Sequence, residues 1–285
     1  MLGCCIAASI LGFTPAIFSL DSVPTALSNS SVSVPRHDAG MRDGELRIGT
    51  SGWTYDAWAD GFYAGVPRAK WLEHYTRHFD AVEVNATFYH ALKPATFAHW
   101  RDAAPAGFRF AIKASRYLTH IRRLAFPRAS LLKQRDAAGH LGGKLAAVLW
   151  QLPAGLHRDL ARLERFLALL KVWPRVRHAV EFRHDSWFDD EVAALLGEHR
   201  VAAVQSDAAD WPMWDAVTTD VVYVRLHGHR VTYSSAYSRR ELAAWARRIR
   251  GWRADGREVH LYFDNTDAGH AVDDAQTLRR AISEQ

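Results

Sequence analysis

Seven stretches of this chain read as buried β-strands that finish in polar or charged residues, and an eighth finishes in glycines and hydroxyls. In order they are Leu46–Gly52, Ala81–Phe88, Arg109–Ser115, Leu145–Pro153, His178–His184, Ala202–Asp207, Val221–Gly228 and Glu258–Asn265. Helix-like segments separate most of them. Strand–helix alternation repeated eight times predicts an α/β fold: a (β/α)8 barrel of TIM type, closed and parallel. Its chemistry is expected where the strands end.

The length of 285 residues suits one such barrel, and a hydrophobic content of 48% supplies its core. A single barrel domain is expected over residues 45–285, with no linker inside it. Residues 1–44 differ. An apolar, uncharged run from Leu2 to Leu20 has no basic residue before it and is interrupted by Pro15, so a secretory n-region is missing. This segment is expected to be a disordered extension, or upstream of a true start at Met41. The only cysteines, Cys4 and Cys5, fall within it. The body therefore holds no disulfide framework or thiolate metal site, which fits a cytoplasmic protein. No membrane association is expected for the barrel, and no cofactor motif is legible.

Helices are expected over Pro67–His78, Pro94–Ala103, Pro127–His140, Arg158–Leu170, Asp189–His199, Ser238–Trp252 and His270–Ser283. Proline in the first turn, a Ser238/Glu241 capping box and the acidic start Asp189-Asp190-Glu191 mark their beginnings. Asp207 to Val221 lacks a helix pattern and is expected to form a long loop, a place for a lid or pocket wall around Trp211 and Trp214.

Side chains alternate along a strand, and the set facing the covering helices is apolar. That rule sends Glu83, Asn85 and Thr87 inward from the second strand and Lys113 from the third. Gln151 comes from the fourth, Glu181 and Arg183 from the fifth, and Gln205 and Asp207 from the sixth. Tyr223, Arg225 and His227 come from the seventh, and His260, Tyr262 and Asp264 from the eighth. An ordinary barrel interior is filled with branched aliphatics. Buried charges cost several kcal/mol each unless paired, so internal ion pairs, for example Glu181 or Glu83 with Arg183, Arg225 or Lys113, are expected beside any ligand site.

The strings Ile48-Gly-Thr-Ser-Gly-Trp53, Val82-Glu83-Val-Asn85-Ala-Thr87-Phe-Tyr89 and Phe110-Ala-Ile-Lys113-Ala follow one another, with Thr119-His120 just after. Next come Gln151-Leu-Pro153, Glu181-Phe-Arg183-His184, Tyr223-Val-Arg225-Leu-His227-Gly228 and Tyr262-Phe-Asp264-Asn265. Together they resemble domain-of-unknown-function family 72, the YecE-like family, over about Leu46 to Ile282. The resemblance implies a TIM-type barrel and no particular reaction. The chain departs from the pattern at Ser115, where Pro is common, and at Asp264 and Asp274, where Asn is common.

Acids and bases interleaved around one mouth suit a small anionic or sugar-like ligand. The expected activity is that of a hydrolase or lyase on a phosphoester or sugar-like substrate. Glu181 is the candidate general base and His227 the second acid/base. Glu83 would be the carboxylate across from Glu181, although the glycosidase pattern of acids on strands four and seven is missing. Lys113, Arg183 and Arg225 would clamp charge, with a Schiff-base role for Lys113 ranked below clamping. Asn85 and Gln151 would orient the ligand, Asp207 and Asp264 would line it, and His120 with Arg122-Arg123 would form a basic rim. One alternative is a metal-dependent phosphodiesterase or isomerase using Glu181, Asp207, His227 and Asp264. The arginines among them oppose a cation, so no metal ligand is assigned. The other alternative is a non-catalytic nucleic-acid or metabolite-binding module. Nucleic acid is not favoured there: the net charge is +5, but the basic residues are spread over helices. Oligomeric state is left open.

Overall fold

Eight parallel strands form a barrel in the computed structural model, which describes residues 43–284. The expectations for residues 1–42 lie outside the described residues. The strands are β1 (Leu46–Thr50), β2 (Ala81–Val84), β3 (Arg109–Lys113), β4 (Leu145–Gln151), β5 (Arg177–Glu181), β6 (Val201–Asp207), β7 (Val221–Leu226) and β8 (Glu258–Phe263). From β2 to β8 each pairs with its sequence neighbour, and β1 pairs with β8. The last seam, β1 to β2, is narrow. A bridge joins Ser51 to Glu83, Gly52 N donates to Glu83 O at 2.7 Å, and the Tyr75 hydroxyl accepts from Thr50 N and donates to Ala81 O. A Cβ on Gly49 would stand 1.9 Å from Ala81 O, so only glycine lets β1 come this close.

The helices are α1 (Trp71–Tyr75), α2 (Ala86–Tyr89), α3 (Pro94–Ala103), α4 (Arg128–Ala138), α5 (Leu160–Leu170), α6 (Asp190–Glu198), α7 (Arg239–Ala254) and α8 (His270–Ser283). Ser238 and Glu241 form the expected capping box, and Asp189 caps α6 through Val192 N. No helix among the described residues is long and apolar enough to cross a membrane. As expected, Asp207 and Val221 are joined without a helix.

The strands separate two apolar layers. Outward residues such as Val82, Ile112, Val148, Val180, Val224 and Leu261 join the helices in one core. Inside lies a smaller layer of Ala81, Ala111, Ala147, Leu149, Ala179, Ala202 and Val204 with Tyr223 and Tyr262. Alanine on five strands leaves room along the axis for a polar column. His260 meets Glu258 at 2.7 Å and Tyr262 at 3.2 Å, and the Tyr223 hydroxyl donates to Glu83 at 2.6 Å.

Two expectations need correction. The second strand ends at Val84. Asn85 is already helical (φ −81°, ψ −22°) and Thr87 lies in the one-turn α2, where its hydroxyl donates to Val84 O and Lys113 O. The sixth strand faces the other way. Ala202, Val204 and Ser206 look inward, while Gln205 accepts from Arg248 of α7 and Asp207 meets His229 at 2.9 Å. The inner layer takes the small Ala202 and Val204, and Arg248 supplies the partner that makes an outward glutamine tolerable.

Candidate functional site

Arg225 organises the mouth of the barrel. It is fully buried at the end of β7. Nε and Nη2 donate to Glu83, Nη2 also to Asp264 (2.8 Å) and Ser51 (3.1 Å), and Nη1 to Glu181 (2.8 Å) and to His227 Nε2 (3.1 Å). One guanidinium thus holds carboxylates from β2, β5 and the end of β8. Glu83 is saturated, since Ser51 and Tyr223 also donate to it. Burial alone would raise the carboxyl pKa of Glu181, but Arg183 and Arg225, helped by His227, hold it well below the usual range. Asp264 is depressed in the same way, with Arg225 and then His227 overcoming its burial. His227 Nδ1 lies 3.0 Å from Asp264 Oδ2 without hydrogen-bond alignment. A Cβ on Gly228 (φ +100°) would stand 2.5 Å from Val231 O, so this turn after His227 requires glycine.

A second group of cations sits beside that hub and is less occupied. Arg183 donates from Nε to Glu181 Oε1 at 2.5 Å, and its guanidinium lies 3.5 Å from the Trp211 ring centroid. Its buried Nη2 has no partner among the described residues. Lys113, 9% exposed, lies with Nζ 4.4 Å from the Phe88 ring and makes no ion pair with a described carboxylate. Burial first, and the charge of Arg225 second, push its pKa down to about 8. His120 packs edge-on against the same Phe88 ring, 5.0 Å away, and accepts or donates at Thr119. Burial and the charges of Lys113, Arg116 and Arg183 lower its pKa to about 4, so the ring is neutral near pH 7. His120 is carried by a turn of π-helix, Tyr117–Ile121, which follows β3.

The structure therefore brings Glu83, Lys113, Glu181, Arg183, Arg225, His227 and Asp264 together, with Asn85 reaching Ser51 Oγ at 3.1 Å. Gln151 pairs in register with Glu181, and its amide donates to Leu152 O. Asp207 is not brought in, and Lys113 is not the partner of Glu83. Both oxygens of Glu181 are engaged, by Arg183 and Ser206 on one side and Arg225 on the other. That fixes it as an anion with little capacity to take a proton near neutral pH, contrary to the role of general base. With Asp207 turned away, no group of three or more His, Cys, Asp or Glu among the described residues is spaced to hold a metal ion.

Ser206 is a site residue that the alternation does not point to, while Trp211 lies in the loop expected to wall the pocket. Trp211 donates to Ser206 Oγ at 2.9 Å and packs edge-on to His227 at 5.0 Å. The helix-free stretch after Asp207 was the available signal for Trp211. Ser206 was hidden by the reversed facing of β6.

Glu181→Gln is expected to lower stability by about 3 kcal/mol, because it leaves Arg183 without a carboxylate and Arg225 with one fewer. Urea unfolding monitored by Trp fluorescence checks this, and an unchanged midpoint contradicts it.

A family model described as "Protein of unknown function DUF72" matches residues 47–285. The UPF0759 protein YunF of Bacillus subtilis is 25% identical over 266 residues, covering 82% of this chain and 93% of its own length. The UPF0759 protein YecE of Escherichia coli is 30% identical over 159 residues, 54% of this chain and 56% of its own length. Among solved structures, a DUF72 family protein of Thermotoga maritima superposes with a TM-score of 0.73 at 23% identity. That match covers 84% of this chain and 99% of the other. A DUF72 family protein of Enterococcus faecalis reaches the same TM-score at 20% identity, covering 84% and 95%.

Proposed function

We propose, for a chain that belongs to the DUF72 family of proteins of unknown function, that the barrel mouth is an active site for a small anionic substrate. The substrate is a phosphoester or a sugar bearing phosphate or carboxylate, and the reaction is hydrolysis or elimination. The observation that carries this reading is the sign of the unused hydrogen-bonding capacity. Glu83, Glu181 and Asp264 are committed to Arg225. The charged groups left free among the described residues are cations: Arg183 Nη2, which has no partner, and the Lys113 ammonium, which has no carboxylate, with Asn85 Oδ1 as a neutral acceptor beside them. A ligand that satisfies them brings oxygens with negative charge.

Each neighbour then has a distinct task. Glu181 orients Arg183 and Arg225. Arg183, stacked on Trp211, presents its free edge to the anion. Lys113, with a pKa near 8, holds a proton at neutral pH and releases it readily, which suits proton transfer at the reacting bond. His227 is a second proton carrier, with Nε2 held by Arg225. Asn85 Oδ1, buried without a partner among the described residues, accepts a substrate hydroxyl.

A panel of phosphorylated, carboxylated and neutral polyhydroxylated metabolites, read by thermal shift and then calorimetry, tests this. Phosphates or carboxylates are expected to stabilise the protein. Arg183→Met is expected to weaken the best of them by about 10- to 100-fold, the size of a lost charge-assisted hydrogen bond. Equal stabilisation by neutral sugars, or full binding by Arg183→Met, rejects the anion site.

A further inference from the structure

Beside the mouth the surface changes character. Between Glu83 and Asp136 the chain carries a single acidic residue, Asp102, against ten lysines and arginines. Among the described residues, only Arg101 and Arg135 of those ten meet a carboxylate. Arg116, Arg122, Arg123, Arg128 and Lys133 are exposed. The same segment exposes Tyr89 (68%), Tyr117 (43%) and Ile121 (61%). Arg123 and Leu124 both hold positive φ (46° and 68°), a strained pair that ends the π-helical turn.

A cleft of about 390 Å³ opens within this surface, between α2, the π-helical turn and α4. Its floor is Leu92, Phe97, Leu118 and Ala137. Its rim offers His90, Tyr117, Lys133, Gln134, Ser115 and Ser130, and no carboxylate lines it. An apolar slot with an aromatic wall and amide, hydroxyl and ammonium groups at its lip matches a flat heterocycle with polar edges. Lys133 lines it, and Arg116, Arg122 and Arg123 at the ends of the adjoining π-helical turn meet no carboxylate among the described residues, although Arg122 Nε donates to Ala125 O. Together they match a chain of phosphates.

We infer that this face binds single-stranded nucleic acid, with one unpaired base in the cleft, stacked on Tyr117, and flanking phosphates on Arg116, Arg122, Arg123 and Lys133. A paired base cannot enter a cleft of this kind, so duplex is bound more weakly. The inference stands apart from the chemistry of the mouth, because none of these residues belongs to the Arg225 hub or carries the free donors beside it.

Fluorescence anisotropy with labelled single strands of about 15 nucleotides, DNA and RNA, tests it. Binding is expected to weaken steeply with salt. In the double variant Arg122→Glu/Arg123→Glu, the affinity is expected to fall more than tenfold, with a shallower salt slope. Tyr117→Ala is expected to lose about fivefold or more without changing that slope. Arg239→Glu/Arg240→Glu, an equal charge change at the start of α7, keeps the affinity within twofold. Equal loss in that control means diffuse attraction to a basic protein and overturns the inference. So does absence of binding at low salt, or binding to anionic phosphatidylserine vesicles that a single strand does not compete away. A negative metabolite panel leaves it standing.

Discussion

Arg225→Leu is expected to destabilise the barrel by at least about 3–5 kcal/mol, the cost of stranding a buried charge, and by more if its three carboxylates respond independently. Leucine fills part of the volume and donates nothing. Glu83, Glu181 and Asp264 would lose their common partner in a site where Glu83 and Glu181 have no exposure. Arg225→Lys is the informative companion. An ammonium keeps the charge but cannot reach Glu83, Asp264, Glu181 and His227 at once, so an intermediate loss is expected.

The pH dependence should change sign. In the native protein Glu181 and Asp264 have depressed pKa values, so their stabilisation is present above the unfolded-state value of about 4 and is lost as pH falls from there through the lower folded values. Without Arg225, Asp264 keeps no arginine and Glu181 keeps only Arg183, so burial weighs more heavily and the pKa of Asp264 above all is expected to rise past the unfolded value. The variant should then gain stability as pH falls from about 7 to about 5, where the folded state takes up protons first. Urea unfolding across that range reads both effects. If Arg225→Leu does not accumulate, Arg225→Lys carries the comparison. A midpoint equal to that of the native protein contradicts the account of the hub.

Lys113→Met is expected to do the opposite to stability and to abolish ligand binding. The methionine keeps an apolar chain against Phe88 and removes a charge that burial disfavours. The sign follows from the depressed pKa, about 8 against an ordinary 10.5. Between those values the unfolded chain binds the proton that the folded protein has released. The penalty is therefore full below pH 8 and disappears as pH rises to about 10.5. A shift of this size corresponds to about 3 kcal/mol at neutral pH, or about 6–12 °C in melting temperature for a domain of this size. The gap between variant and native protein should close as pH rises from 8 towards 10. A group stabilised by replacement and required for binding marks a site held for function at the expense of stability. Equal melting temperatures at pH 7, or unimpaired binding of the best anion, contradict this.

Much of the frame was legible because it rests on local pattern. Two-residue alternation located most of the strands, a continuous apolar run located the fourth, and proline or capping signals placed α3, α4 and α7 to within a residue or two of their observed starts. The site was legible only as a set of inward side chains. Alternation put Glu83, Lys113, Glu181, Arg225, His227 and Asp264 at one mouth, but it has no access to pairing across the barrel. Glu83 and Arg225, 142 positions apart, are joined by the closure of the barrel. Of the pairs the polarity allows, Glu83 and Glu181 take Arg225 and Arg183, and Lys113 is left without a carboxylate among the described residues. The facing of β6 misled for the same reason. Gln205 looks inward by polarity alone, and only Arg248 on α7 makes the outward position acceptable. Asn85 and Thr87 read as strand because Val82 and Val84 set the alternation, whereas the chain turns helical at Asn85.

On this reading Lys113 is a buried amine kept without a carboxylate so that an anion can meet it. The chain has only six lysines, so ¹³C NMR of labelled lysine side chains can follow each one, with Lys113→Met assigning the signal. One lysine is expected to titrate near pH 8 and to move upward when inorganic phosphate is added to saturation. A Lys113 that titrates with the other five near its ordinary value, and that phosphate leaves unmoved, would contradict it.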